Sequence, residues 1–250
     1  LGIKSAKYEN LLLTDADCKP ASRRWIRHMA SGFMGAKEVV LGYGKLLENK
    51  GWLNKVIRFE TAFTATQYFS LALWGAPYMG VGRNLAYKKA LFIKTRGFIS
   101  HYKVSSGDDD LFINQVANKQ NTRIMIHPES FTLSPAKNTF REWWRQKRRH
   151  LSTGTFYKKK HKFILGTYST SLLAFYALLI VLLLKEYLLV TTIGIFLVRL
   201  FSQLFIFNKI FKNLREKKLL VISPLIELKL TLLYPLMVLV NQVFKQSRWK

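Results

Sequence analysis

The sequence predicts an α/β domain followed by transmembrane helices. Three observations carry that reading. Residues 1 to about 150 alternate short apolar runs with helical segments and Gly, Asn and Asp turns. Residues 163–184 hold 22 consecutive uncharged positions. Basic residues flank the apolar stretches. In the first part, Leu11–Leu13 and Glu38–Gly42 read as strands. Residues 23–34, 54–74 and 111–118 read as helical, and Arg123–Ile126 as a short strand closed by Pro128. A strand–helix alternation of this kind builds a layered α/β domain, here expected over residues 1–150, with a membrane region over 151–250.

The 22-residue run is long enough to cross about 30 Å of hydrocarbon. A second stretch, residues 187–207, carries only Arg199 and Gln203, and Lys185 and Glu186 separate it from the first. The pair reads as a membrane hairpin. A third stretch, residues 219–244, includes Pro224, Glu227, Lys229 and Pro235. Spanning, lying in the interface and re-entering the same face all remain open for it. Buried core helices are the competing reading of all three stretches, and a run of 18 or more uncharged residues argues against it.

The chain has 40 Lys+Arg against 14 Asp+Glu, a net charge of +26, with 49% hydrophobic residues. Disorder requires low hydrophobicity and is excluded. Between Arg141 and Lys162 there are nine Lys/Arg and one acidic residue, and a second basic cluster spans Lys209–Lys218. The positive-inside rule puts both clusters on the cytoplasmic side, so the expected location is the inner (plasma) membrane, multi-pass, with the first domain cytoplasmic. The basic C-terminus, KQSRWK, favours an inside end and a third stretch that does not cross fully. Membrane lipids, through anionic head groups, explain the charge, and nucleic acid is not needed as a partner. One cysteine, Cys18, excludes an intrachain disulfide framework and a C-x-x-C zinc site. The chain begins with Leu1 and lacks a signal-peptide start, so it is expected to be a fragment or a processed chain.

Four constellations can carry chemistry. In LLLTDADCKP, Asp15 and Asp17 follow an apolar strand. In extended chain, side chains two apart point the same way, so both carboxylates can approach one hard cation, Mg²⁺ or Mn²⁺. A solvated turn capping the next helix is the plainer reading. In SSGDDDLF, Asp108, Asp109 and Asp110 are consecutive. One Asp suffices to cap a helix; three crowd one another and push a carboxyl pKa up, which suits a proton acceptor. In REWWRQKRRH, Arg offers a planar fork for phosphate oxygens, while an interfacial helix with a Trp belt explains the same residues. In GVGRNLAY, glycines allow close backbone approach to a ligand, or form an ordinary turn.

In order and spacing, from about Leu11 to His150, these features resemble glycosyltransferase family 2, the inverting GT-A enzymes, in membrane-bound form. LLLTDADCKP looks like the family's D-x-D strand end, and GVGRNLAYKKALF like its glycine–asparagine acceptor-side loop. SGDDDLF is similar to its E-D-x-D-L segment, with Gly107 where Glu is usual. QKRRH resembles its Q-x-x-R-W motif, with His150 where Trp is usual. The resemblance implies a partial GT-A (nucleotide-diphospho-sugar transferase) domain, the C-terminal part, with a nucleotide-binding βαβ half expected before the D-x-D strand. This stretch alone is therefore expected to be incomplete as a catalyst.

The activity implied is hexosyl transfer from a nucleotide-diphospho-sugar to a hydroxyl of a glycan or lipid-linked acceptor, in cell-envelope polysaccharide or glycolipid synthesis. The metal ligands implied are Asp15 and Asp17, holding Mg or Mn. Asp108, with Asp109 as second choice, is the implied catalytic base. Arg83, Asn84, Gln146, Arg149 and His150 are the implied substrate contacts. Two alternatives compete. A glycoside hydrolase also uses two carboxylates but needs no Arg-rich phosphate grip beside a membrane hairpin. A non-enzymatic membrane scaffold or transporter subunit would use Arg199, Gln203, Glu227 and Lys229 as a pathway, against a plain role in helix–helix bonding.

Overall fold

The computed structural model describes residues 2–102, 104 and 106–244. Ser105 and the basic C-terminal residues 245–250 lie outside the described residues. The chain divides into two compact units, the first ending at Lys158 and the second starting at Lys159.

The first unit is mixed α/β. A short helix α1 (Gly2–Ser5) precedes strand β1 (Asn10–Leu13). Strand β2 (Lys19–Pro20), helix α2 (Trp25–Ala30), β3 (Val39–Leu41) and β4 (Gly44–Leu46) follow. Next come α3 (Trp52–Trp74), β5 (Leu85–Lys88), α4 (Lys89–Lys94), α5 (Asp108–Val116), β6 (Thr122–Ile124), β7 (Thr132–Ser134) and α6 (Phe140–Thr153). Strands order β1-β5-β3-β6 in one sheet and β2-β7-β4 in another. The first sheet is antiparallel except for the parallel β3–β6 pair.

The central strands explain the core. Val39, Val40, Leu41, Leu85 and Ala86 are all buried, as expected of strands covered on both faces. Trp25 and Met29 of α2 pack on Val40 and Ala86. On the other side Tyr87, Phe92, Phe98 and Phe112 form an aromatic cluster with ring centroids 4.7–6.3 Å apart.

Several elements differ from the sequence reading. The helix expected over 23–34 is only one and a half turns, followed by a 3₁₀ turn at Ser31–Phe33. Helix α5 begins at Asp108 instead of Leu111, so the acid triplet forms its first turn, where free N–H groups favour carboxylates. The strands β2, β4, β5 and β7 were not expected. Each has two to four residues, too short to show a two-residue period.

The second unit consists of α7 (Lys159–Leu184), α8 (Leu189–Asn213) and α9 (Ser223–Val243). All three are long and apolar enough to cross a membrane. They pack on one another. Residues 185–188 join α7 to α8, as a hairpin requires. The polar residues that interrupt the apolar stretches meet each other. Arg199 of α8 pairs with Glu227 of α9, and Tyr176 of α7 donates to the same carboxylate oxygen at 2.9 Å. Arg199 also donates to Gln203 Oε1 at 2.9 Å and lies 4.9 Å from the ring centres of Phe175 and Tyr176. The Glu227 carboxylate thus links all three helices, while the Arg199–Gln203 bond lies within α8. Pro224 falls in the first turn of α9, where its missing N–H costs nothing.

Replacing Arg199 with Leu leaves the buried Glu227 carboxylate without its countercharge. Thermal unfolding in detergent should show a loss of about 3 kcal/mol, largely recovered in the double variant Arg199→Leu/Glu227→Leu. A double variant as unstable as the single one would contradict the pairing.

Candidate functional site

One cavity of about 410 Å³ opens in the first unit. Asp15 and Asp17, Arg83, Asp108, Asp109 and Asp110, and Gln146, Lys147, Arg149 and His150 all line it. Four separate segments thus bring carboxylates and cations to a single space. Asn84 does not line it.

The acidic pair sits after β1. The sequence reading put both carboxylates on one side of an extended strand; instead Asp15–Cys18 is a tight turn, closed by the Cys18 N–H donating to the Asp15 carbonyl at 3.0 Å. The turn still gathers the side chains: carboxylate oxygens of Asp15 and Asp17 and the Cys18 sulfur lie within 4.8 Å of one another. The Cys18 thiol was not singled out from the sequence. Burial raises the Asp15 pKa, the Arg83 guanidinium opposes it, and Asp17 and Asp108 push it further up. Asp15 and Asp108 are therefore close enough to feel each other's charge.

The acid triplet splits into three environments. Its helix starts at Gly107, with φ of 77°. A side chain there would collide with Thr153 of α6, and L residues avoid this left-handed conformation. Glycine at this position thus has a steric reason. Asp108 is exposed to the cavity. Asp109 turns inward and accepts from the Gly82 N–H and, at 3.0 Å, from the Asp110 N–H. Gly82 permits this approach, since an added Cβ would sit 2.8 Å from the Asp109 oxygen. Burial pushes Asp109 up to about 6, against the Gly82 hydrogen bond and aided by Asp108. Asp110 accepts from the Tyr157 hydroxyl at 3.3 Å, and burial followed by the charge of Asp109 raises its pKa well above the usual range.

Helix α6 supplies the cationic wall. A capping box starts it: the Glu142 N–H donates to Thr139 Oγ1 at 3.2 Å, and the Thr139 N–H to Glu142 Oε2 at 3.3 Å. Trp143 is buried, while Gln146, Lys147, Arg149 and His150 face the cavity. Glu60 of α3, buried and absent from every sequence motif, holds this helix. It pairs with Lys147 and accepts from Trp143 Nε1 at 3.5 Å. An acid inside a helical pattern 80 residues from α6 carries no local signal, so only the fold reveals it.

Arg83 reaches the cavity, its Nη1 donating to Ser134 Oγ at 3.0 Å. Its neighbour Asn84, an expected substrate contact, does not line this cavity. It is fully buried. Its Oδ1 accepts from Trp25 Nε1 at 3.0 Å, and its amide donates to the carbonyls of Tyr43 at 3.0 Å and Ser130 at 2.7 Å. With its amide so engaged, Asn84 braces the fold around the cavity.

The two carboxylates of the turn offer hard oxygen donors suited to Mg²⁺ or Mn²⁺. Carboxylates, Arg and Lys around one space suit a polyanion carried with a cation. No protein-family model matches the chain, and no curated protein does. Among solved structures, a mannosyltransferase from Pyrobaculum calidifontis in complex with GDP-Man and Mn²⁺ is similar at TM-score 0.43 and 16% identity. The likeness covers 60% of this chain and 39% of that one, so the chain spans about two-fifths of that protein's length.

The raised Asp109 pKa sets a pH test. A carboxyl raised in the folded state leaves stability intact below its unfolded pKa of about 4 and erodes it as pH rises to about 6. Asp109→Asn should therefore gain about 2 kcal/mol at pH 8 and almost nothing at pH 4, read by thermal unfolding. Equal gains at both pH values would refute the inward, uncomfortable carboxylate.

Proposed function

We propose that this chain belongs to a membrane-bound inverting GT-A glycosyltransferase of family 2. It moves a hexosyl unit from a nucleotide-diphospho-sugar to a hydroxyl of a glycan or lipid-linked acceptor, in cell-envelope polysaccharide or glycolipid synthesis. One observation supports this above all: the D-x-D turn, the acid triplet and the Gln146–Arg149–His150 segment all contribute to the lining of one cavity. Separate cavities for Asp17 and Asp108 would have left nothing for a single transfer to use.

The acceptor oxygen attacks the anomeric carbon as the bond to the donor diphosphate breaks. Asp108, the exposed carboxylate of the triplet, takes the hydroxyl proton; a positioned base of this kind contributes about 10²–10⁴ in rate. Asp109 is a weaker choice, because two N–H groups already occupy its oxygens. Gln146 and Arg149 grip the departing diphosphate, and Arg83 adds positive charge on the same space. His150 stands at the sugar side, where the family places Trp. Asp17 with Asp15 would hold Mg²⁺ or Mn²⁺, which would supply charge neutralisation for the diphosphate.

The second unit anchors the protein in the inner (plasma) membrane with the first unit cytoplasmic. The outer face of α6, with Arg141, Arg145 and the exposed Phe140, meets anionic head groups.

In the intact protein, Asp108→Asn should cut nucleotide-diphosphate release by roughly a hundredfold or more while donor binding survives. Asp17→Ala should weaken metal-dependent donor binding. Unchanged turnover in the first variant, or normal metal dependence in the second, would remove these roles.

A further inference from the structure

Outside the cavity, two imidazoles and a carboxylate converge. His28 lies on α2; His127 and Glu129 belong to a 3₁₀ turn at Pro128–Ser130 and the residue before it. One donor-capable atom from each lies within 4.8 Å of the other two. His28 Nε2 is 3.1 Å from Glu129 Oε2. The two rings stack, with centroids 4.1 Å apart and planes 16° from parallel. None of the three lines the cavity.

We propose that His28, His127 and Glu129 form a binding site for a borderline divalent cation of the Zn²⁺ class, separate from the Asp15–Asp17 pair. Two imidazoles and a carboxylate are a donor set that Zn²⁺ favours. With bonds of about 2.0–2.1 Å, neighbouring donors of a tetrahedral site sit about 3.3 Å apart. The His28–Glu129 pair already stands near that separation, so the ion replaces the proton the two share. His127 has to move. Its ring turns out of the stack so that a nitrogen lone pair faces the ion. Little opposes this, because the ring is exposed and its Nδ1 accepts one long bond, 3.3 Å, from the Glu129 N–H.

The surroundings favour the carboxylate's orientation. Ser22 Oγ donates to Glu129 Oε1 at 3.3 Å, leaving Oε2 toward His28, as outer contacts do around metal ligands. Arg24 Nη1 lies 3.6 Å from Oε2, but its side chain is 68% exposed and free to withdraw into water. Three protein donors leave a fourth position to water. The ion would fasten α2, which follows the acidic turn, to the turn that leads into β7.

The test uses the intact protein in detergent, stripped of metal, with Asp15→Asn/Asp17→Asn as background. Zn²⁺ is titrated by calorimetry, and Co²⁺ serves as the spectroscopic probe. One equivalent of Zn²⁺ should bind, and His28→Ala and His127→Ala should each lower affinity roughly tenfold or more. Co²⁺ should give the intense visible bands of a four-coordinate, nitrogen-bearing site, a readout that holds even if a variant fails to fold. No Zn²⁺ binding in the background protein, unchanged affinity in both His variants, or a weak six-coordinate Co²⁺ spectrum would overturn the site.

Discussion

The carboxamide of Asn84 is the constraint on which the first unit depends. Three bonds from one buried side chain tie α2, the strand pair β3–β4 and the turn before β7 to the start of β5. The adjacent Arg83 carbonyl accepts from Thr14 at 3.0 Å and from Thr132 at 2.9 Å. That backbone therefore holds the chain just ahead of the acidic turn on one side and β7 on the other. Buried polar groups that are fully satisfied rigidify what they join, and leaving any partner unpaired costs the desolvation of that group. The cavity walls are in place because this junction is.

Charge is managed by separation inside the cavity. Three adjacent aspartates start one helix, but successive positions on a helix point about 100° apart. All three line the cavity, but Asp108 is the exposed one, Asp109 takes backbone N–H groups and Asp110 meets a tyrosine hydroxyl. The three carboxylates thus have different partners although they start the same turn of helix. On α6 the buried Glu60 pairs with Lys147, while Gln146, Arg149 and His150 also line the cavity.

Much of this was legible in the sequence, for physical reasons that can be named. The three long apolar helices α7–α9 announce themselves by length with few charges, and α3 by its long helical pattern, both of which are local signals. The acidic turn, the triplet and the α6 segment were visible as residue types, and the cavity joins them. What was hidden depends on distant partners. Glu60 meets α6 across some 80 residues, His28 meets Glu129 across 101, and Asn84 looks like a loop residue until its three partners are known. The short strands owe their existence to pairing and not to pattern. The i, i+2 argument for Asp15 and Asp17 assumed extended backbone, and a turn delivered the same convergence by another route.

The central claim is that the acidic turn and the exposed aspartate of the triplet share one space. A nitroxide at position 108, introduced as Asp108→Cys in a Cys18→Ser background, tests it directly when Mn²⁺ is added. The account predicts strong paramagnetic broadening of the label that disappears when Asp15 and Asp17 are changed to Asn. Mn²⁺ bound at the acidic turn with a label that remains sharp would contradict it.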